Sequence, residues 1–167
     1  MRKLIFLSLL MAYLPFAVIA GVPRSWEDDP EAAFKRAKRE KKDMLILFTG
    51  TKWNNICKIF DREVVDNRYF RELAEKNFIV VYFDFGFDAK VSAKDAYIRN
   101  KCKEYYNVTV FPTVLVTDPN GKTRTVFRSY RSGSAGEFLS ELAKYCKYKS
   151  DKFMRKFGDN NKKRSGQ

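Results

Sequence analysis

Phe48-Thr49-Gly50-Thr51-Lys52-Trp53-Asn54-Asn55-Ile56-Cys57-Lys58 is the stretch whose reading decides the fold. It continues Met44-Leu45-Ile46-Leu47, an apolar run with no polar alternation, which predicts a strand covered on both faces. Gly50 to Trp53 breaks that run. Beyond the break Ile56, Ile59, Phe60 and Val64 fall at i, i+3, i+4 and i+8, which lines one face of a helix that starts near Asn54 or Asn55. Tyr69, Phe70 and Leu73 extend helical patterning to about Lys76.

Working outward, Asp28-Asp29-Pro30-Glu31 is a helix start, with an Asp cap, a first-turn proline and an acid, and that helix runs to about Lys41. Phe78 to Phe85 is a second continuous apolar run and a second central strand, followed by a loop from Gly86 to about Lys94. Ile98, Cys102 and Tyr105 share a helical stripe, which puts Cys102 on a packed face. Val114 to Thr117, the turn Asp118-Pro119-Asn120-Gly121 and Lys122 to Tyr130 read as a hairpin. Ser134 with Glu137 forms a capping box for a last helix whose Phe138, Leu142 and Cys146 point inward. The order is helix, strand, helix, strand, helix, strand, strand, helix, without an internal repeat.

The 167 residues, 45% of them apolar, have room for one domain with a sizeable core. Residues 1–20 stand apart from it: Arg2 and Lys3 precede the uncharged stretch Leu4 to Ile19, and Val18-Ile19-Ala20 has the small residues of a signal-peptidase site. Cleavage after Ala20 and export to a periplasmic or secreted location are expected; an uncleaved anchor is the alternative, against which stand Pro15 and a short apolar stretch. From 149 to 167 a basic, mostly solvated tail is expected, in which Phe153, Met154 and Phe157 either form an amphipathic turn against a membrane or partner or finish the last helix.

Residue types narrow the chemistry. With no histidine, Ser-His, Cys-His and His-ligated metal sites are excluded, and three scattered thiols make no zinc site, so no metal and no cofactor is expected. Cys57, Cys102 and Cys146 are odd in number, so at least one thiol is unpaired within the chain. The net charge of +13, or +11 once Arg2 and Lys3 are removed, favours acidic proteins or anionic surfaces as partners. An exported chain rarely meets nucleic acid, and none is expected here.

The order of elements, with Phe48-Thr49-Gly50-Thr51-Lys52-Trp53 leading into Asn54 to Lys58, resembles the thioredoxin superfamily, most of all its exported disulfide-isomerase and reductase types. Their motif reads Phe-Thr-Gly-x-x-Trp-Cys-x-x-Cys-Lys. Trp53, Cys57 and Lys58 match it, and Phe111-Pro112-Thr113 stands at the place of the family's cis-proline loop; the resemblance covers about Glu31 to Tyr148 and assigns 21–148 to a thioredoxin-like α/β domain, a central mixed sheet with helices on both faces. Two positions depart. Asn54 replaces the attacking cysteine, and Phe48 stands where many thioredoxins carry a buried acid.

Disulfide exchange needs an exposed thiolate at the first motif position and a second, more buried thiol to resolve the mixed disulfide. Asn54 removes the first, so dithiol turnover at the motif is excluded, while its amide can still cap the helix. Cys57 has three readings: a packed, unreactive residue, a single reactive thiol favoured by Lys52, Lys58 and Arg62, or a partner of Cys102 or Cys146, which the family layout would place on opposite sheet faces. The sequence thus points to a protein that binds exported client peptides or partner proteins through Trp53, Asn54, Asn55, Ile56, Phe111, Pro112 and Thr113. The alternative is a single-thiol redox enzyme or peroxide or thiol sensor with Cys57 as its catalytic residue.

Overall fold

A computed structural model describes residues 23, 25–27, 29–86 and 92–158. Four strands form one sheet in the order β2-β1-β3-β4: β1 (Met44–Thr49), β2 (Ile79–Asp84), β3 (Thr113–Thr117) and β4 (Thr123–Arg128). β1 and β2 are parallel, as a helical crossover requires, whereas β3 lies antiparallel to both β1 and β4. The β3–β4 hairpin is the expected one. Asp118 Oδ1 accepts from the backbone of Asn120 and Lys122, and Gly121 takes φ 84°, a conformation that favours glycine.

The unbroken apolar runs are explained by the two faces of the sheet. Leu45, Leu47, Val80, Tyr82, Val114 and Val116 point to one side, and Met44, Ile46, Phe48, Ile79, Val81, Phe83 and Leu115 to the other, and all are buried. On the first side lie α2 (Asn55–Phe60), α3 (Arg68–Asn77), α5 (Ala135–Leu142) and α6 (Asp151–Phe157). The second is covered by α1 (Pro30–Glu40) and α4 (Ala93–Tyr105). Asp29 caps α1 by accepting from the amides of Glu31 and Ala32.

Several local expectations are corrected. The helical segment after Asn54 is not continuous to Lys76: α2 passes into a π-helical turn over Asp61–Val65, and Asn67, accepting from the Tyr69 amide at 2.9 Å, restarts the chain as α3. Ile56 faces solvent, because Cys57, Phe60 and Val64 take the inward positions of that helix. In α4 no residue is fully buried, Cys102 is half-buried and Tyr105 is exposed; the aromatic that enters the core is Tyr106, whose hydroxyl donates to the Gly121 carbonyl at 3.0 Å. Ser134 makes no capping box: its hydroxyl donates to the Arg131 carbonyl and Glu137 pairs with Arg131.

The domain also extends past the boundary expected at Tyr148. Ser150 caps α6 through the Phe153 amide, and Phe153 and Phe157 are buried against the α3 and α5 side, Phe157 edge-on to Tyr69 at 5.3 Å. Each buried Phe contributes about 2 kcal/mol, so these residues belong to the fold and not to a solvated tail. The expected leader and the cluster Lys162-Lys163-Arg164 lie outside the described residues. All three cysteines are free, Cys102 and Cys146 on opposite sides of the sheet.

Candidate functional site

The site begins where β1 ends. The amides of Trp53 and Asn54 both donate to the Gly50 carbonyl, which turns the chain so that the Trp53 indole folds back over Gly50. A Cβ at Gly50 would sit 2.5 Å from that ring, so the close approach requires glycine. The indole N–H donates to the Phe85 carbonyl at 2.7 Å, and its ring stands edge-on to Phe111 at 5.5 Å. Trp53 is therefore 44% exposed and yet fixed in place.

Asn54 joins two segments. Its Oδ1 accepts from the amides of Ile56 and Cys57 at 2.9 and 3.2 Å, and its Nδ2 donates to the Phe111 carbonyl at 3.4 Å. One amide thus caps α2 and reaches the proline loop, where the Phe111–Pro112 peptide bond is cis. Thr113 closes this loop by donating from its hydroxyl to the Val110 carbonyl at 2.7 Å, and Ser129 N–H donates to the Pro112 carbonyl at 2.8 Å.

The expected binding residues separate into two groups. Trp53, Asn55 and Ile56 are exposed and Asn54 and Phe111 half-buried, so these five can meet a ligand, whereas Pro112 and Thr113 are buried and act as scaffold. Val110, 42% exposed beside Phe111, belongs to the surface and was not anticipated; no periodicity or motif marks it. A cavity of about 770 Å³ between α1 and α4, lined by Phe34, Ile98, Cys102 and Tyr106 among others, contains none of the motif residues.

Cys57 is 0% exposed. Burial pushes its thiol above the ordinary value, the Thr49 hydroxyl and Gly50 backbone oppose this, and the charges of Asp61 and Asp84 add to it. One turn on, Asp61 aims its carboxyl into the same region: Oδ2 accepts from the Tyr82 hydroxyl at 2.7 Å, while Oδ1 is buried with no hydrogen-bond partner. Desolvation, the dominant cause, raises the Asp61 carboxyl to about 6, and Tyr82 is pushed well above its ordinary value. Asp84 accepts from the Thr51 amide at 3.0 Å and from the Thr51 hydroxyl.

Phe48 is no acid; the carboxyl that acts on Cys57 from nearby is that of Asp61, which opens the π-helical turn. Its signal was the i+4 spacing from Cys57 to Asp61. Chemically, a lone protonated thiol without solvent access is a poor nucleophile, and position 54 carries no sulfur to complete a disulfide. Among the described residues no group of three or more His, Cys, Asp or Glu side chains could hold a metal ion.

Comparison with known proteins agrees with this geometry. Residues 25–119 match a family model described as thioredoxin-like. The disulfide bond reductase DsbH of Chlamydia pneumoniae is 23% identical over 124 residues, 74% of each chain. A solved DsbH oxidoreductase superposes with a TM-score of 0.66 at 22% identity, covering 80% of this chain and 91% of that one. A thioredoxin-fold protein from Helicobacter pylori gives 0.50 at 21% identity, with 75% and 86% coverage. The family match takes in the strand, the Trp53 turn, Cys57 and the cis-proline loop: the chain belongs to the thioredoxin-like family.

Proposed function

We propose that this is an exported thioredoxin-fold protein that holds an extended segment of a client or partner protein at the surface of Trp53, Ile56, Val110 and Phe111, without dithiol redox turnover. The observation that carries the reading is Asn54: in the place of the attacking cysteine it makes structural hydrogen bonds on both sides, over a Cys57 with no solvent access. The cis-proline loop supports the binding half of the proposal. Among the described residues the Phe111 N–H has no backbone acceptor, so an incoming strand can pair with it.

Export rests on Arg2, Lys3, the apolar stretch Leu4 to Ile19 and Ala20, and a similar protein named as a disulfide bond reductase is consistent with descent from a redox enzyme. The burial and raised thiol of Cys57 weigh against a single-thiol enzyme or sensor. The test has two arms: dithiothreitol-driven reduction of insulin by wild type, and photo-crosslinking of peptides from a probe placed at Asn55. Absent turnover with peptide crosslinked to the Asn55 probe supports the proposal. Turnover that is lost in Cys57→Ser overturns it.

A further inference from the structure

The Trp53 indole is held by a hydrogen bond, an aromatic edge contact and a glycine that clears its path, and nearly half of it remains in water. An exposed aromatic fixed in this way loses little conformational freedom on binding, which is the character of an interface anchor. Ile56 (37% exposed) stands in the first turn of α2, three residues after it, and Val110 adjoins Phe111 in the chain. Two segments joined through Asn54 thus present exposed apolar side chains, with Trp53 and Phe111 in contact between them.

Two exposed cations stand on the elements that carry these segments. Lys58, whose amide donates to the Asn54 carbonyl, is exposed on the same helix, and Arg128 pairs in register with Thr113 just beyond Pro112. Among the described residues neither has a carboxylate partner, the Arg128 guanidinium donating only to the Asn107 carbonyl. Of the acids described at the site, Asp61 accepts from Tyr82 and Asp84 from Thr51.

Resting on the peptide-binding reading above, we infer that the ligand is an extended polypeptide segment with a bulky apolar residue flanked by acidic ones. The apolar side chain lies on Trp53, Ile56 and Val110, and the flanking carboxylates meet Lys58 and Arg128. Such exposed charges select among partners and speed association, and their effect is screened by salt.

The protein has two tryptophans, and Trp26 is buried, so emission from Trp53 reports binding directly. The probes are synthetic hexapeptides with Leu-Phe at the centre, flanked on both sides by two Glu or by two Ser. The Glu peptide is expected to bind roughly tenfold more tightly than the Ser peptide at low salt, the advantage shrinking as salt rises from about 50 to about 300 mM. Lys58→Glu, at an exposed position, abolishes the preference. Equal binding of both peptides overturns the acidic-partner inference and leaves the peptide-binding reading standing. No response to either peptide overturns both, as does an emission shift confined to phosphatidylglycerol vesicles.

Discussion

Asp61→Asn removes a buried charge while leaving an oxygen for the Tyr82 hydroxyl, so its effect on stability isolates the cost of that charge. The carboxyl rises from 3.8 to about 6 on folding, chiefly through desolvation. At about 1.4 kcal/mol per pH unit this gives a ceiling of about 3 kcal/mol, and screening at a carboxyl that is not wholly enclosed lowers it to about 2 kcal/mol. The sign follows from proton binding: between the unfolded and folded values the native state holds a proton that the unfolded chain has released. Wild-type stability from this group is complete below about pH 4 and is lost as pH rises through about 6. Asn carries no charge at any of these values. Urea unfolding followed by circular dichroism should therefore give equal stabilities near pH 4 and an Asp61→Asn advantage of about 2 kcal/mol at about pH 7.5. Asp66 and Asp84 are present in both proteins and largely cancel in the difference. A gap between variant and wild type that stays constant across this range would refute the reasoning.

Native Cys57 should react with maleimide far more slowly than a free thiol at neutral pH, as should Cys102 and Cys146, both pushed up to about 12 by burial; mass spectrometry of the labelled protein before and after unfolding measures this. Asn54→Cys should acquire insulin-reduction activity and form a disulfide with Cys57, and adding Asp61→Asn should slow it by roughly a hundredfold if the carboxyl accepts the resolving thiol's proton; activity no greater than that of Asn54→Ser counts against the first claim, and an unchanged rate in the double variant against the second. Gly50→Ala forces the indole off its seat, so Trp53 emission should shift and hexapeptide binding should weaken while the fold persists. Phe153→Ala should cost about 3 to 5 kcal/mol in urea unfolding, whereas a solvated tail would give no change.

The long elements were legible because both faces of the sheet are covered: a run such as Met44 to Thr49 with no polar residue before Thr49 has few alternatives to a central strand. Motif spacing led to Trp53, Asn54, Cys57 and Pro112 for the same reason, since each is fixed by local chain geometry. Ile56 shows the limit. Its spacing fits the apolar face of α2, but Cys57 fits the adjacent inward position, and a helix this short offers too few residues for periodicity to choose. Tyr105 and Tyr106 present the same ambiguity, decided by a partner fifteen residues away, the Gly121 carbonyl. The residues missed at the site depend on contacts between distant segments. Asp61 meets Tyr82 on β2, and Val110 gains its place only because Thr113 and Pro112 turn the loop beside Trp53.

The same dependence on distant partners separates two demands on the site. Asn54 serves the fold, for Asn ranks among the best helix caps and typically contributes about 1 kcal/mol, and its second amide hydrogen bond ties α2 to the Phe111 loop. Asp61 does the opposite: desolvation raises its carboxyl to about 6, which predicts a cost to stability at neutral pH, and it leaves a buried oxygen without a partner. Peptide binding at Trp53 has no use for a buried carboxyl behind a sealed thiol. Proton transfer from a thiol has one, because a carboxyl held near 6 can accept a proton from a neighbouring sulfur at neutral pH and release it again. On the proposed reading, the site keeps a carboxyl beside the buried thiol and an exposed aromatic surface for a client, and the sulfur absent at position 54 separates it from dithiol chemistry.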